Sequence, residues 1–130
     1  MAAALALPRP DLAAHREALT LSWSEIVTRL SAILGRKLTA YIAGVKDVRA
    51  LDRWIAGTSP YGEIEARLRF AYQVAKTLGE HDSARVVQAW FMGVNPELGD
   101  RVPLRLLRDE DLNKIAPEIL AAARAFIAGA

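Results

Sequence analysis

Glycine punctuation constrains this chain more than any other feature. Gly35, Gly44, Gly57, Gly79 and Gly93 each close a run of apolar residues spaced by three or four. Such spacing places apolar side chains on one face of a helix, and glycine ends helices because it enters left-handed backbone without a Cβ penalty. The start signals agree. Ser22 and Glu25 have capping-box spacing ahead of Ile26, Leu30, Ile33 and Leu34. Asp47 precedes a run from Val48 to Ala56. Thr58-Ser59-Pro60 opens a long run to Leu78, with Ile64, Leu68, Ala71, Tyr72, Ala75 and Leu78 on its buried face. Asp82-Ser83 precedes Val86, Val87, Trp90 and Phe91. No alternating apolar–polar run is sustained anywhere, so the pattern predicts an all-α fold.

The ends of the chain are less regular. Met1–Leu7 is apolar but lacks a basic flank and is cut short by Pro8 and Pro10, which reads as a flexible arm rather than a signal peptide. A short helix is expected over Asp11–Leu19, with Asp11 as its cap. Leu104–Leu107 fits one helical turn. The last helix is expected to begin near Asp109–Asp111 and to bend or restart at Pro117. It then carries Ile119, Leu120, Ala123, Phe126 and Ile127. This divides the chain into an arm over 1–20, a module over 21–79 and a module over 80–130. A length of 130 residues suits one shared core.

Residues 38–57 carry the first chemical signal. Ala40 is small enough for two helices to cross closely, and Gly44 suits a left-handed turn. Val48, Leu51 and Trp54, spaced by three, anchor the second helix. Its outward face then shows Lys46, Arg49 and Arg53, with Arg36 and Lys37 nearby. That is the layout of a helix-turn-helix, whose cations reach phosphates and guanine edges. An ordinary helical hairpin with a solvated basic face has the same pattern, and Asp47 and Asp52 dilute the charge. The net charge of +2 does not decide between them.

The second signal is Ala89–Leu107, AWFMGVNPELGDRVPLRLL. Trp90 and Phe91 end a helix, Asn95-Pro96 turns the chain, Leu98 and Val102 bracket Gly99-Asp100, and Pro103 opens a new apolar turn. So many backbone breakers in so apolar a stretch predict a compact, stiff element, not a linker. Trp90 is expected in the core. The order Trp90-Phe91, Asn95-Pro96, Leu98-Gly99, Pro103 and Leu106-Leu107 resembles the signature of the Xre/MbcA/ParS antitoxin family. Arg108-Asp109, the 50–57 segment with Arg53-Trp54 and a terminal glycine, and the long 60–78 helix are also similar to that family. The likeness covers roughly residues 22–130.

The resemblance implies an Xre-like helix-turn-helix module packed on a C-terminal toxin-binding module. It implies a type II toxin–antitoxin system whose partner is a RES-domain toxin that depletes NAD, with the antitoxin covering the toxin's active site. It further implies operator DNA as a second partner, a homodimer or larger toxin–antitoxin assembly, and a bacterial cytoplasm. The toxin-facing surface it points to involves the 92–107 turn region and the last helix; the residues nominated are Met92, Asn95, Pro96, Leu98, Asp100, Arg101, Arg108 just beyond the turn region, Phe126 and Ile127. Asp109-Glu110-Asp111 fits a helix N-terminus and equally a contact with a basic toxin pocket. A stand-alone transcription regulator, whose residues 60–130 only dimerise, is the competing expectation. A small helical adaptor or ligand-binding protein is a third.

No group in the sequence nominates an enzyme. His15 and His81 stand alone, and no phosphate loop, nucleophile elbow or HExxH is present. The absence of cysteine excludes a disulfide framework and thiolate metal sites. No cofactor, metal or membrane span is expected, since no apolar run approaches the ~20 residues a span needs.

Overall fold

The computed structural model describes residues 10–60 and 62–129, so the expectation for Met1–Leu7 lies outside the described residues. Within them the chain is all-α: α1 (Pro10–Thr20), α2 (Trp23–Leu34), α3 (Arg36–Ala43), α4 (Arg49–Ile55), α5 (Gly62–Gly79), α6 (Ala84–Met92), a 3-10 turn (Pro96–Leu98), α7 (Pro103–Asp109) and α8 (Leu112–Gly129). No helix among the described residues is long and apolar enough to cross a membrane.

Local chemistry sets most boundaries. Ser22 Oγ accepts the Glu25 N–H and Ser83 Oγ accepts the Val86 N–H, each satisfying a first-turn donor. Gly44 closes α3 in left-handed backbone, φ 78°, and its N–H reaches the Tyr41 carbonyl at 3.0 Å. Asp47 Oδ1 accepts the Arg49 N–H at 2.8 Å, so it caps α4 across two residues, and the helix starts at Arg49 rather than Val48.

Several expectations are corrected. α1 spans Pro10–Thr20, one residue beyond the expected helix at each end. α5 spans Gly62–Gly79, and Pro60 lies outside it. The apolar turn at Leu104–Leu107 extends to Asp109. α8 runs unbroken through Pro117. Five residues into that helix, proline's missing N–H costs one intrahelical bond, and the flanking anchors Ile115 and Ile119, both buried, hold the helix together across it. Val86 is 38% exposed, because only Val87, Trp90 and Phe91 of α6 turn inward.

One continuous core joins the two halves. α5 is its axis, packed against α1, α2, α3 and α8. Ile26, Leu30, Leu51, Leu68, Leu78, Phe91, Leu107 and Ile119 belong to a single buried cluster. Polar ties cross the same seams. Arg69 donates to the Ala18 and Leu21 carbonyls, closing the end of α1 onto α5. Tyr72 Oη donates to Glu17 at 2.6 Å, and Gln88 donates to the Ile33 carbonyl. Burial raises the Tyr72 hydroxyl above its ordinary range, and the Glu17 carboxylate raises it further.

Candidate functional site

Residues 93–103 form a stiff turn. Gly93 ends α6, and a Cβ there would meet the Ala89 carbonyl at 3.2 Å, so the tight exit favours glycine. Asn95 then organises the loop through three groups. Its N–H donates to the Arg101 carbonyl at 3.1 Å. Its carbonyl accepts the N–H groups of Leu98 and Asp100, and its Oδ1 accepts the Glu97 N–H at 2.9 Å. Gly99 and Asp100 are both left-handed, φ 65° and 62°. Asp100 bears that conformation at about 1 kcal/mol, a cost short polar side chains carry best. Arg101 locks the turn from outside: Nε donates to the Leu98 carbonyl at 2.6 Å, and Nη2 pairs with Glu118 of α8 at 3.2 Å.

This turn borders an open groove of about 460 Å³, walled by Trp90 of α6, by Asn95 and Pro96, and by Ala122 and Phe126 of α8. Trp90 meets Phe91 edge-on at 5.3 Å. Trp90 as a whole is 8% exposed, and its Nε1–H has no hydrogen-bond partner among the described residues. Beside the groove, Met92 and Val94 are 52% and 64% exposed. Two large apolar side chains in solvent, one at the end of α6 and one at the start of the hydrogen-bonded turn, are features of a contact surface.

The basic face is built differently from the sequence expectation. α4 packs on α2 through Leu51 and Trp54, the latter 5.5 Å from Trp23, and Ser24 Oγ donates to the Ile55 carbonyl. Arg49 and Arg53 are both exposed, as expected. Arg49, however, chelates Asp47 through Nε at 2.7 Å and Nη2 at 2.6 Å. That contact holds the Asp47 carboxyl below the usual carboxylate range. Arg36 pairs with Asp52 at 3.0 Å and donates to the Val48 carbonyl, tying the start of α3 to α4. Arg53, Lys37 and Lys46 have no ion-pair partner among the described residues. Of the five nominated cations, Arg53, Lys37 and Lys46 are therefore uncommitted, Arg49 is engaged locally at the start of α4, and Arg36 ties α3 to α4.

The residues nominated for a toxin separate in the same way. Met92, Pro96 and Asp100 are exposed, and Phe126 and Ile127 are half-buried on α8. Leu98 is 1% exposed and belongs to the core, which corrects its nomination as a contact: the 3-10 turn needs an apolar anchor and Leu98 is that anchor. Asn95 is buried and acts as the turn's organiser. Arg101 is engaged with Leu98 and Glu118. Arg108 lies elsewhere, its guanidinium carbon 4.4 Å from the centroid of the Tyr41 ring on α3. Sequence reasoning missed Glu118 and Tyr41. Each becomes a partner only when helices distant in sequence pack together, so no local spacing announces it.

Among the described residues no group of His, Asp and Glu side chains is placed to hold a metal ion. No protein-family model, curated protein or solved structure matches the chain.

Proposed function

We propose that the chain is an antitoxin of the Xre/MbcA/ParS type, which binds and neutralises a RES-domain, NAD-depleting toxin with its C-terminal half and contacts operator DNA with the α3–α4 face. The observation that carries this reading is the turn 93–103. It is tied to α8 by Arg101–Glu118 and presents Val94 to solvent at the rim of an open groove, directly after exposed Met92 at the end of α6. A surface already fixed in one conformation loses little entropy on binding a partner. Exposed apolar side chains at its rim add the desolvation gain. Residues Met92, Val94, Pro96 and Phe126 form the contact in this account. Asn95, Leu98 and Arg101 shape it from beneath.

The test is growth during co-expression with the protein encoded next door. Deleting α8 is unsuitable, because Ile115, Ile119, Ala122 and Ala123 belong to the core. Surface variants avoid that difficulty. Met92→Asp and Val94→Asp should retain helical circular dichroism and lose rescue of a toxic neighbour. A neighbour that is harmless alone, or full rescue by both variants, defeats the antitoxin reading. In that event, a concentration-dependent dimer abolished by the same variants would identify a stand-alone regulator.

A further inference from the structure

A second groove, also about 460 Å³, lies between α3, the turn after it and α7. Lys37, Lys46 and Arg108 line it together with Tyr41 and the apolar Val45 and Val48, and among the described residues no carboxylate does. Lys37 and Lys46 are exposed. Arg108 is held over the Tyr41 ring, and its nearest acid, Asp109, is 3.8 Å away with a side chain 59% exposed. We infer that this groove binds backbone phosphate of a DNA duplex, with Arg108 of α7 completing a site begun by Lys37 and Lys46. This rests on the DNA-binding half of the proposed function and adds to it a residue from outside the α3–α4 pair.

The chemistry favours phosphate for three reasons. Three cations around one concavity repel each other, and an anion relieves that repulsion. Stacking on Tyr41 fixes the Arg108 guanidinium before binding, so its planar donors meet phosphate oxygens with less entropy lost. The groove also adjoins the start of α4: Lys46 and Val48 line it, and Arg49 begins the helix. A strand tracking past exposed Arg53 can therefore lay a neighbouring phosphate in the groove. Contacts of this kind position a protein on duplex without reading its sequence.

The experiment is fluorescence anisotropy of the full chain. The probes are a labelled duplex taken from directly upstream of its own reading frame and a scrambled duplex, over a salt series. Arg108→Gln should lower the slope of log affinity against log salt by about 1, and Lys37→Gln with Lys46→Gln by about 2, equally on both duplexes. Arg105→Gln, exposed on the same helix but outside the groove, should leave the slope unchanged. Because Arg108 touches Tyr41, the lysine pair supplies the arm free of any structural burden. Five results overturn the inference. Wild-type slopes in the groove variants do so while leaving the DNA reading intact. An equal loss for Arg105→Gln reduces the effect to net charge. Inorganic phosphate that raises the thermal midpoint of the wild-type chain but not of the lysine-pair variant, while both bind duplex with the same affinity and slope, assigns the groove to a free anion. Failure of the wild-type chain to bind either duplex at low salt removes this site and the DNA reading together. Arg108→Gln should still rescue growth against the neighbour; lost rescue with intact duplex binding would reassign Arg108 to the protein partner.

Discussion

Replacing Asn95 by alanine tests whether one side chain holds the turn together. Its backbone angles, φ −118° and ψ 117°, are open to alanine, so no strain enters. The loss is confined to the bond from the Glu97 N–H to Oδ1, at 2.9 Å, and to the small volume vacated by a side chain that is 9% exposed. Capping bonds of this type are worth about 1 kcal/mol, up to about 2 where water cannot replace the acceptor. Equilibrium urea unfolding should therefore show a loss of about 1–2 kcal/mol with an unchanged m value, which for m near 2 kcal/mol/M is a midpoint shift of about 0.5–1 M. Asn95→Asp keeps the acceptor and places a carboxylate at the turn's donor end, so it should stay within about 0.5 kcal/mol of the parent. A parent-like Asn95→Ala would refute the capping argument. An Asn95→Asp as damaged as the alanine variant would show that the amide N–H₂, not Oδ1, does the holding.

Other expectations follow from the same geometry. Gly44→Ala should lose about 0.5–1.5 kcal/mol, from a left-handed penalty of about 1–2 offset by a stiffer unfolded chain; the added Cβ meets Arg67 Nη1 at an ordinary 3.8 Å, so a loss above about 3 kcal/mol would contradict the purely conformational account. Leu107→Ala, at a position 1% exposed where α7 meets the core, should cost about 2–5 kcal/mol by thermal or urea unfolding, and a loss below about 1 would mean this seam is loosely packed. Tyr72 is raised in the folded chain, so the native state holds its proton more tightly than the unfolded state does. Its contribution is intact below about pH 10 and is lost as pH rises through the folded value. Urea midpoints measured from neutral to alkaline pH should fall less steeply in Tyr72→Phe, and identical profiles would sink this assignment.

The α-helices and most of their caps were legible before any tertiary contact was known. Ser22, Ser83, Gly44 and Gly93 act on backbone groups within four residues, so their chemistry is contained in local sequence. The stiffness of 93–103 was legible for the same reason. Its prolines fix φ, its Gly admits left-handed backbone and its Asn favours a turn wherever the segment sits, and the bonds from Asn95 to Glu97, Leu98 and Asp100 are short-range.

Only packing decided which nominated side chains remain available. Arg36 is equally cationic in either setting, yet the approach of α4 brings Asp52 to 3.0 Å and commits it to the fold. Leu98 could have faced a partner until the 3-10 turn rolled it inward. Arg108 belongs by sequence to the segment that resembles a toxin-binding signature, and α7 carries it onto Tyr41 in α3. Period and punctuation specify which face of a helix is apolar. They do not specify which distant helix covers it, because that choice is made by the summed fit of many weak contacts across the whole core.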